Sequence, residues 1–408
     1  MNIYIGLLLM VVSLVVSTLC YPGVLNFARK HGILDNPDNR KLQRRPVPVM
    51  GGVVVYAGIL VSGLILNSLM YSDILAYGLI SMAVMMLIGV WDDVKDLSVG
   101  IRFTIEIVLV TVFILATGTY IDDFHGVWGI YKIHPYIGVP FSVFVGVGIM
   151  NAVNLIDGMD GYLSGYGVLA CICFGLALWS AGSLEMGCLA IIVVGALLPF
   201  FLHNVFGIQS KMFIGDGGTL MLGMLMTVLV FFTMSSKHHG IVLMEKGVGL
   251  AAFIMAVLCI PVFDMARVFL LRILRGKSPF RPDRNHLHHL FIDMGFSHFG
   301  AALSIIMINT MVVLIWMVSW ILGASIDVQT YVVLGLGIIV TFGLYNFVKI
   351  QQYGGPINET GSPQGTRLWH AMAKLGSYTK LEEGRFWKMM RCLIDGPLSG
   401  LHSSENKS

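Results

Sequence analysis

Four clusters of acids, amides and histidines interrupt an otherwise apolar sequence, each where a hydrophobic run ends or begins. Trp91-Asp92-Asp93-Val94-Lys95-Asp96 closes one such run. Three carboxylates within five residues repel one another unless a cation or a proton relieves them. Asp92 and Asp96 are four apart and share a helix face if the helix continues. A solvated turn paired with Lys95 and Arg102 is the plainer reading of the same residues. A second run closes on Asn151-Ala-Val-Asn154-Leu-Ile-Asp157-Gly158-Met-Asp160-Gly161. Asn154, Asp157 and Asp160 recur every third residue, which lines them along one helix edge. Polar groups at membrane depth are costly and read as functional by default. The two glycines permit a break or a close backbone approach. A capping turn would explain one of these aspartates but not the whole group.

Phe213-Ile214-Gly215-Asp216-Gly217-Gly218-Thr219 opens a third run. A carboxylate followed by glycines at a helix start suits a metal–phosphate site. Asp216 offers the hard oxygen that Mg²⁺ prefers, and backbone N–H groups there can face phosphate. Aspartate is also an ordinary helix N-cap. The fourth cluster, Pro279–His289, sets His286, His288 and His289 beside Arg281 and Arg284. Histidines so spaced bind metal, but with these cations nearby a phosphate-gripping loop fits better; a merely basic membrane-facing loop is the alternative. An earlier loop, Asp35–Gly52, places Arg40, Lys41, Arg44 and Arg45 among prolines and glycines. It suits phosphates or lipid headgroups, or acts only as a topology signal. Acids without bases would suggest cation transport, and bases without acids lipid docking. Both together point to Mg²⁺-assisted handling of phosphates.

The elements that must carry these clusters are membrane helices. Of 408 residues, 56% are hydrophobic and 12% charged, with mean hydropathy +0.80, whereas soluble domains carry roughly 25% charged residues. The net charge of +3 gives no reason to expect a nucleic-acid partner. The six cysteines form no CxxC pair, so neither a disulfide framework nor a zinc site is expected. Met1–Leu19 lacks a basic start and a cleavage site, and reads as an uncleaved first span.

A span needs about 20 mostly apolar residues. Eleven stretches qualify, near 3–22, 50–70, 73–90, 103–118, 139–155, 162–181, 187–206, 212–234, 247–270, 300–322 and 330–348. The expected fold is an all-α polytopic membrane protein, with a transmembrane domain over 1–350 and a cytoplasmic tail over 351–408. Of the 26 lysines and arginines, 22 fall on the face that follows odd-numbered spans and three on the other, with Arg267 inside a span. The positive-inside rule then puts the N-terminus outside and the C-terminus in the cytoplasm. All four polar clusters share that cytoplasmic face.

In this order and at these span ends, the motifs resemble those of the polyprenyl-phosphate N-acetylhexosamine-1-phosphate transferases. The likeness covers roughly residues 25–300 through DNPDNRK…PVPVMGG, WDDVKD, NAVNLIDGMDG, FIGDGG and RPDRNHLHH. It implies ten or eleven spans in the bacterial inner membrane and a cytoplasmic active site. The implied substrates are undecaprenyl phosphate and a UDP-N-acetylhexosamine, most simply UDP-GlcNAc. It also implies that Asn154 and Asp216 bind Mg²⁺, or Mn²⁺ in its place, and that Phe213 stacks on uracil. By the same likeness Asp92 and Asp93 lie near the acceptor phosphate. Asp157 and Asp160 serve catalysis or nucleotide binding. Arg284, His286, His288 and His289 contact sugar and pyrophosphate, and Arg40 and Lys41 belong to the basic substrate loop.

The sequence departs from the family pattern in two places. Gln43 stands where many relatives carry a histidine, so no proton transfer is assigned to that loop. The tail from Gln351 matches nothing recognised; with Trp369, Phe386 and Trp387 it suits a short helix on the membrane surface. A phospho-MurNAc-pentapeptide transferase is the nearest rival, although its histidine loop differs. A cation-coupled transporter is remote, because it would carry its acids at mid-span. A homodimer is left open.

Overall fold

The computed structural model describes residues 3–36, 46–238, 240–280, 285–355, 365–379 and 384–399. Arg40, Lys41, Gln43 and Arg284 lie outside them. Almost all regular structure is helical. Ten helices among the described residues are long and apolar enough to cross a membrane. They begin with α1 (Ile3–Lys30), α2 (Gly51–Met70), α3 (Asp73–Lys95), α4 (Val99–Thr117) and α5 (Pro135–Leu155). Next come α6 (Tyr162–Ser180), α7 (Leu184–Phe206) and α8 (Gly215–Met234), then, after four shorter helices, α13 (His298–Ile321). The last span joins α14 (Ile326–Ile338) through a π-helical stretch to α15 (Leu344–Tyr353). The shorter helices are α9 (Gly240–Glu245), α10 (Leu250–Val257), α11 (Cys259–Leu274) and α12 (Leu287–Asp293).

The expected ninth span, 247–270, is broken. Helices α10 and α11 meet at 77°. Pro261 has no N–H, and its ring crowds the carbonyl four residues earlier, at Val257, where α10 stops. Asn309 on α13 repairs the break: its Oδ1 accepts from Ile260 N (3.0 Å) and its Nδ2 donates to Val257 O (3.0 Å). Counting the broken pair as one span gives eleven. The first helix also runs past its expected end, to Lys30.

Helix α8 stands at the centre, buried from Gly217 to Met234. In lipid, helices associate through close packing, which small residues allow. A Cβ on Gly146 of α5 would meet the Thr227 methyl at 2.8 Å, and one on Gly223 of α8 would meet Met150 Cα at 2.7 Å. This packing sets the Gly215 end of α8 between neighbouring ends of α2, α3 and α5.

The tail differs from its expected form. It makes two helices, α16 (Arg367–Ser377) and α17 (Arg385–Ser399). Trp387 is 4% exposed and packs on protein, with its ring 4.6 Å from that of Phe206 and 5.4 Å from that of Phe299. Amphipathic tail sequence reads alike whether its apolar face meets lipid or a neighbouring helix.

Candidate active site

The site gathers around the first turn of α8. Just before it, Phe213 forms a parallel bridge with Val49 at the end of the first loop. Phe213 N donates to Pro48 O (2.8 Å), Gly51 N to Phe213 O (2.9 Å) and Gly52 N to Ile214 O (2.8 Å). Pro48 itself belongs to β2 (Val47–Pro48), paired antiparallel with β1 (Leu34–Asp35). The loop that ends in PVPVMGG therefore fixes the backbone of Phe213. Gly215 then turns the chain at φ +73°, where its missing side chain leaves room for the Asp93 carboxylate.

Asp216 does not cap its own helix. Asp93, at the end of α3, does so from across the bundle. Its Oδ1 accepts from Asp216 N (3.0 Å) and its Oδ2 from Gly217 N (3.3 Å). The expectation that these two N–H groups face phosphate is thus overturned, because a carboxylate already occupies them. The Asp216 side chain meets Asn154, whose Nδ2 donates to Asp216 Oδ1 (2.7 Å) and to Thr219 Oγ1 (2.7 Å). Asn154 Oδ1 and Asp216 Oδ2 remain without a donor among the described residues.

These two oxygens fit Mg²⁺, which takes few protein ligands and completes its shell with water and phosphate. No group of three or more His, Cys, Asp or Glu side chains forms a ready cage among the described residues. A metal held here would need substrate oxygens.

Asp92 faces away from that pair. Its Oδ1 accepts from Leu97 N (2.7 Å) and its Oδ2 lies 3.5 Å from Arg102. Arg102 Nε is 3.6 Å from Glu106 Oε1, and Asn151 Nδ2 donates to Glu106 Oε2 (2.6 Å). This chain ties α3, α4 and α5 together. Glu106 is fully buried, and sequence reasoning passed over it; the signal was a single acid inside the fourth span. Asp96 does not share a helix face with Asp92. The helix stops at Lys95, and Asp96 takes a left-handed φ of 48° that donates its N–H to Asp92 O. Beside Arg102 a groove of about 570 Å³ opens between Val99, Gly100, Phe103, Ser278 and Phe280.

Asp157 and Asp160 do not extend a helix edge from Asn154, because α5 ends at Leu155 and both stand on the following turn. Asp160 Oδ2 lies 2.6 Å from Lys211 Nζ and 3.5 Å from His298 Nδ1. Lys211, which sequence reasoning also missed, sits 5.8 Å from the centre of the Phe213 ring. Among the described residues Asp157 carries no such partner. The surrounding protein, with negative charge on Asp216, Asp160 and Asp35, pushes its carboxyl up to about 8. The residue still opens to solvent, which screens part of that repulsion.

The histidine loop closes over the same turn. A Cβ on Gly158 would lie 2.3 Å from His288 Nε2. Burial, with His289 and His286 alongside, pushes His288 well below the usual imidazole range. It therefore works as a neutral ring, one nitrogen donating and the other accepting. His286 turns inward instead: its Nδ1 lies 2.9 Å from Asp264 Oδ2, which also accepts from Leu287 N (3.2 Å). Asp264 Oδ1 accepts from Arg267 (2.7 Å), whose guanidinium stacks 3.9 Å from the centre of the Tyr345 ring. This buried anchor on α11 was visible in sequence only as an acid and a base three apart inside one span. The structure thus brings Asp93, Asn154, Asp216 and Phe213 to one place, with Asp157, Asp160 and His288 along its rim. Asp92 and His286 point into supporting networks.

Comparison with known proteins bears on the family of the chain. The sequence model of glycosyl transferase family 4 matches residues 75–234. The chain is 30% identical over 274 residues to the undecaprenyl-phosphate alpha-N-acetylglucosaminyl 1-phosphate transferase of Escherichia coli strain K12, covering 66% of this chain and 72% of that protein. It is 27% identical over 357 residues to the probable undecaprenyl-phosphate N-acetylglucosaminyl 1-phosphate transferase of Bacillus subtilis strain 168, covering 86% and 93%. The undecaprenyl-phosphate alpha-N-acetylglucosaminyl 1-phosphate transferase of Yersinia pestis is 28% identical over 279 residues, covering 66% of this chain and 72% of that protein.

Proposed function

Because this chain belongs to glycosyl transferase family 4, we propose that it transfers N-acetylglucosamine 1-phosphate from UDP-GlcNAc to undecaprenyl phosphate and releases UMP. The observation that carries the reading is the Asn154–Asp216 pair, two hard oxygens facing outward at the head of α8. The reaction starts a lipid-linked glycan of the bacterial cell envelope. It proceeds at the cytoplasmic face of the inner membrane, where the basic loops lie, with the N-terminus outside and the C-terminus inside.

An oxygen of the lipid phosphate attacks the β-phosphorus of the donor. The bond from that phosphorus to the UMP oxygen breaks, and UMP leaves with the electron pair. A monoester phosphate, with a second pKa of about 6, is largely dianionic at neutral pH. The protein therefore has mainly to align two anions and offset their charge. Asn154 and Asp216 would hold Mg²⁺, which would supply that neutralisation at the donor pyrophosphate. Asp93 fixes Asp216 by holding the head of α8. Phe213 offers its ring to uracil, and Lys211, oriented by Asp160, stands beside it. Arg102, held by Asp92 and Glu106, presents positive charge next to the groove that would receive the first part of the lipid.

The test uses purified full-length protein in detergent with undecaprenyl phosphate, Mg²⁺ and a panel of UDP-sugars. UMP release from UDP-GlcNAc, lost without lipid, with EDTA or in Asp216→Ala, is expected. Release only from UDP-MurNAc-pentapeptide, or full activity of Asp216→Ala at matched protein level, would refute the assignment.

A further inference from the structure

The C-terminal helix α17 reaches the donor side of the site. Asp395 binds three successive backbone groups of the turn between α7 and α8. Its Oδ2 accepts from Ile208 N (3.0 Å) and Gln209 N (3.3 Å). Its Oδ1 accepts from Ser210 N (3.0 Å) and from the Ser210 hydroxyl (2.7 Å). Consecutive N–H groups aimed at one point form an anion nest that an isolated turn leaves unfilled. These bonds hold the Asp395 carboxyl below the usual carboxylate range, so it is charged at neutral pH. A second contact seats the helix independently, with Trp387 against Phe206 at the end of α7 and Phe299 at the start of α13.

The turn so gripped is one residue from Lys211 and three from Phe213. From the other side, Tyr21 of α1 donates to Ser210 O (2.8 Å) and Arg29 bonds Gln209 O. Asn204 joins the turn to the acidic motif, donating to Met212 O (3.0 Å) and accepting from Gly161 N (2.7 Å). Without α17, the turn would lose every bond to its first three N–H groups that the structure shows.

We infer that α17 is a strap completing the donor subsite, and that Asp395 is a positioning residue that holds the 208–210 turn so that Lys211 and Phe213 meet the nucleotide. The assignment of Lys211 and Phe213 to the donor rests on the proposed reaction.

The experiment compares full-length wild type, Asp395→Ala, Asp395→Asn, Trp387→Ala and the Asp395→Ala/Trp387→Ala double variant in the UMP-release assay. Losing charge-assisted bonds to the turn is expected to raise the donor KM about tenfold in Asp395→Ala. The acceptor KM and the turnover at saturating donor stay within about twofold. Asp395→Asn, which keeps one acceptor oxygen in place, lies between. Trp387→Ala shifts the same constant, and the double variant is no worse than the stronger single one, since both release one strap. Amide hydrogen exchange at Ile208, Gln209 and Ser210 in the donor-free protein speeds up about tenfold in Asp395→Ala.

Equal rises in both KM values, a fall in turnover alone, or multiplied effects in the double variant would overturn the positioning role. Unchanged exchange at the three amides would overturn the strap itself. If wild type releases no UMP from any UDP-sugar, the proposed reaction falls, the donor role of Asp395 falls with it, and the exchange result alone decides the strap.

Discussion

Gly89 is the residue whose replacement most directly tests how Asp216 is held. It lies on α3 one helical turn before Asp93, and a Cβ there would sit 2.3 Å from the backbone carbon and oxygen of Asp216 and 2.4 Å from Gly217 N. These are backbone atoms, so no side chain can swing aside. Restoring ordinary contact at 3.4 Å means moving α3 and α8 apart by about 1 Å. The Asp93 bonds to Asp216 N and Gly217 N, now 3.0 and 3.3 Å, would then pass beyond hydrogen-bonding range. Overpacking costs about 1–3 kcal/mol, partly offset by the gain of about 1 kcal/mol from alanine in a helix. Gly89→Ala should therefore fold while its site is displaced. A shift of about 1 Å is worth roughly a hundredfold in rate. Gly148→Ala on α5 is the control, because nothing lies within 4 Å of its added Cβ; its rate should stay within about twofold of wild type. The assay is the initial rate of UMP release at saturating substrates, with folded protein matched by thermal unfolding. A Gly89→Ala enzyme that is folded and as fast as wild type would refute the claim that contact between α3 and α8 sets Asp216.

Three further outcomes follow from the geometry. Phe213→Ala should raise the donor KM about tenfold by losing base stacking, with the acceptor KM unchanged in the same assay. In EDTA, the thermal midpoint should fall shallowly as pH rises from mildly acidic to neutral, because the protein and the negative charge of Asp216, Asp160 and Asp35 hold the Asp157 carboxyl above its ordinary value in the folded state while solvent screens part of the effect. Asp157→Asn should flatten that slope, and a slope unchanged in the variant would remove Asp157 as its source. Asp264→Ala strands the buried Arg267 guanidinium and should cost about 3–5 kcal/mol in denaturant unfolding; a loss under about 1 kcal/mol would mean that the stacking on Tyr345 suffices.

The sequence made the spans and the site motifs legible because both are local signals. A run of apolar residues announces a membrane helix, and acids at its end announce themselves by cost. The neighbours of those acids were not legible. Asp93 caps a helix 123 residues further along, a bond between side chain and backbone that leaves no periodic trace. Local spacing misled where the helix stopped early: Asp96 turns away from Asp92, and Asp157 leaves the edge of Asn154, because the chain leaves helical geometry at Asp96 and after Leu155. Asp395 was beyond local reasoning for the same cause as Asp93, since its partners are 185 to 187 residues away.

The break between α10 and α11 bears on how the protein is made. This segment carries Asp264, Arg267 and Arg272 and a kinked backbone with Pro261 at its centre. Charge within a span adds to the cost of insertion even where Asp264 and Arg267 pair, and unpaired backbone groups in lipid add more. The groups that relieve it come later in the chain: Asn309 patches the kink and Tyr345 covers Arg267. During synthesis the ninth span leaves the ribosome before its stabilising partners exist. The contacts that patch its kink and cover Arg267 form only once the tenth and eleventh spans have been made, so the helix that anchors the histidine loop is completed by the last part of the membrane domain.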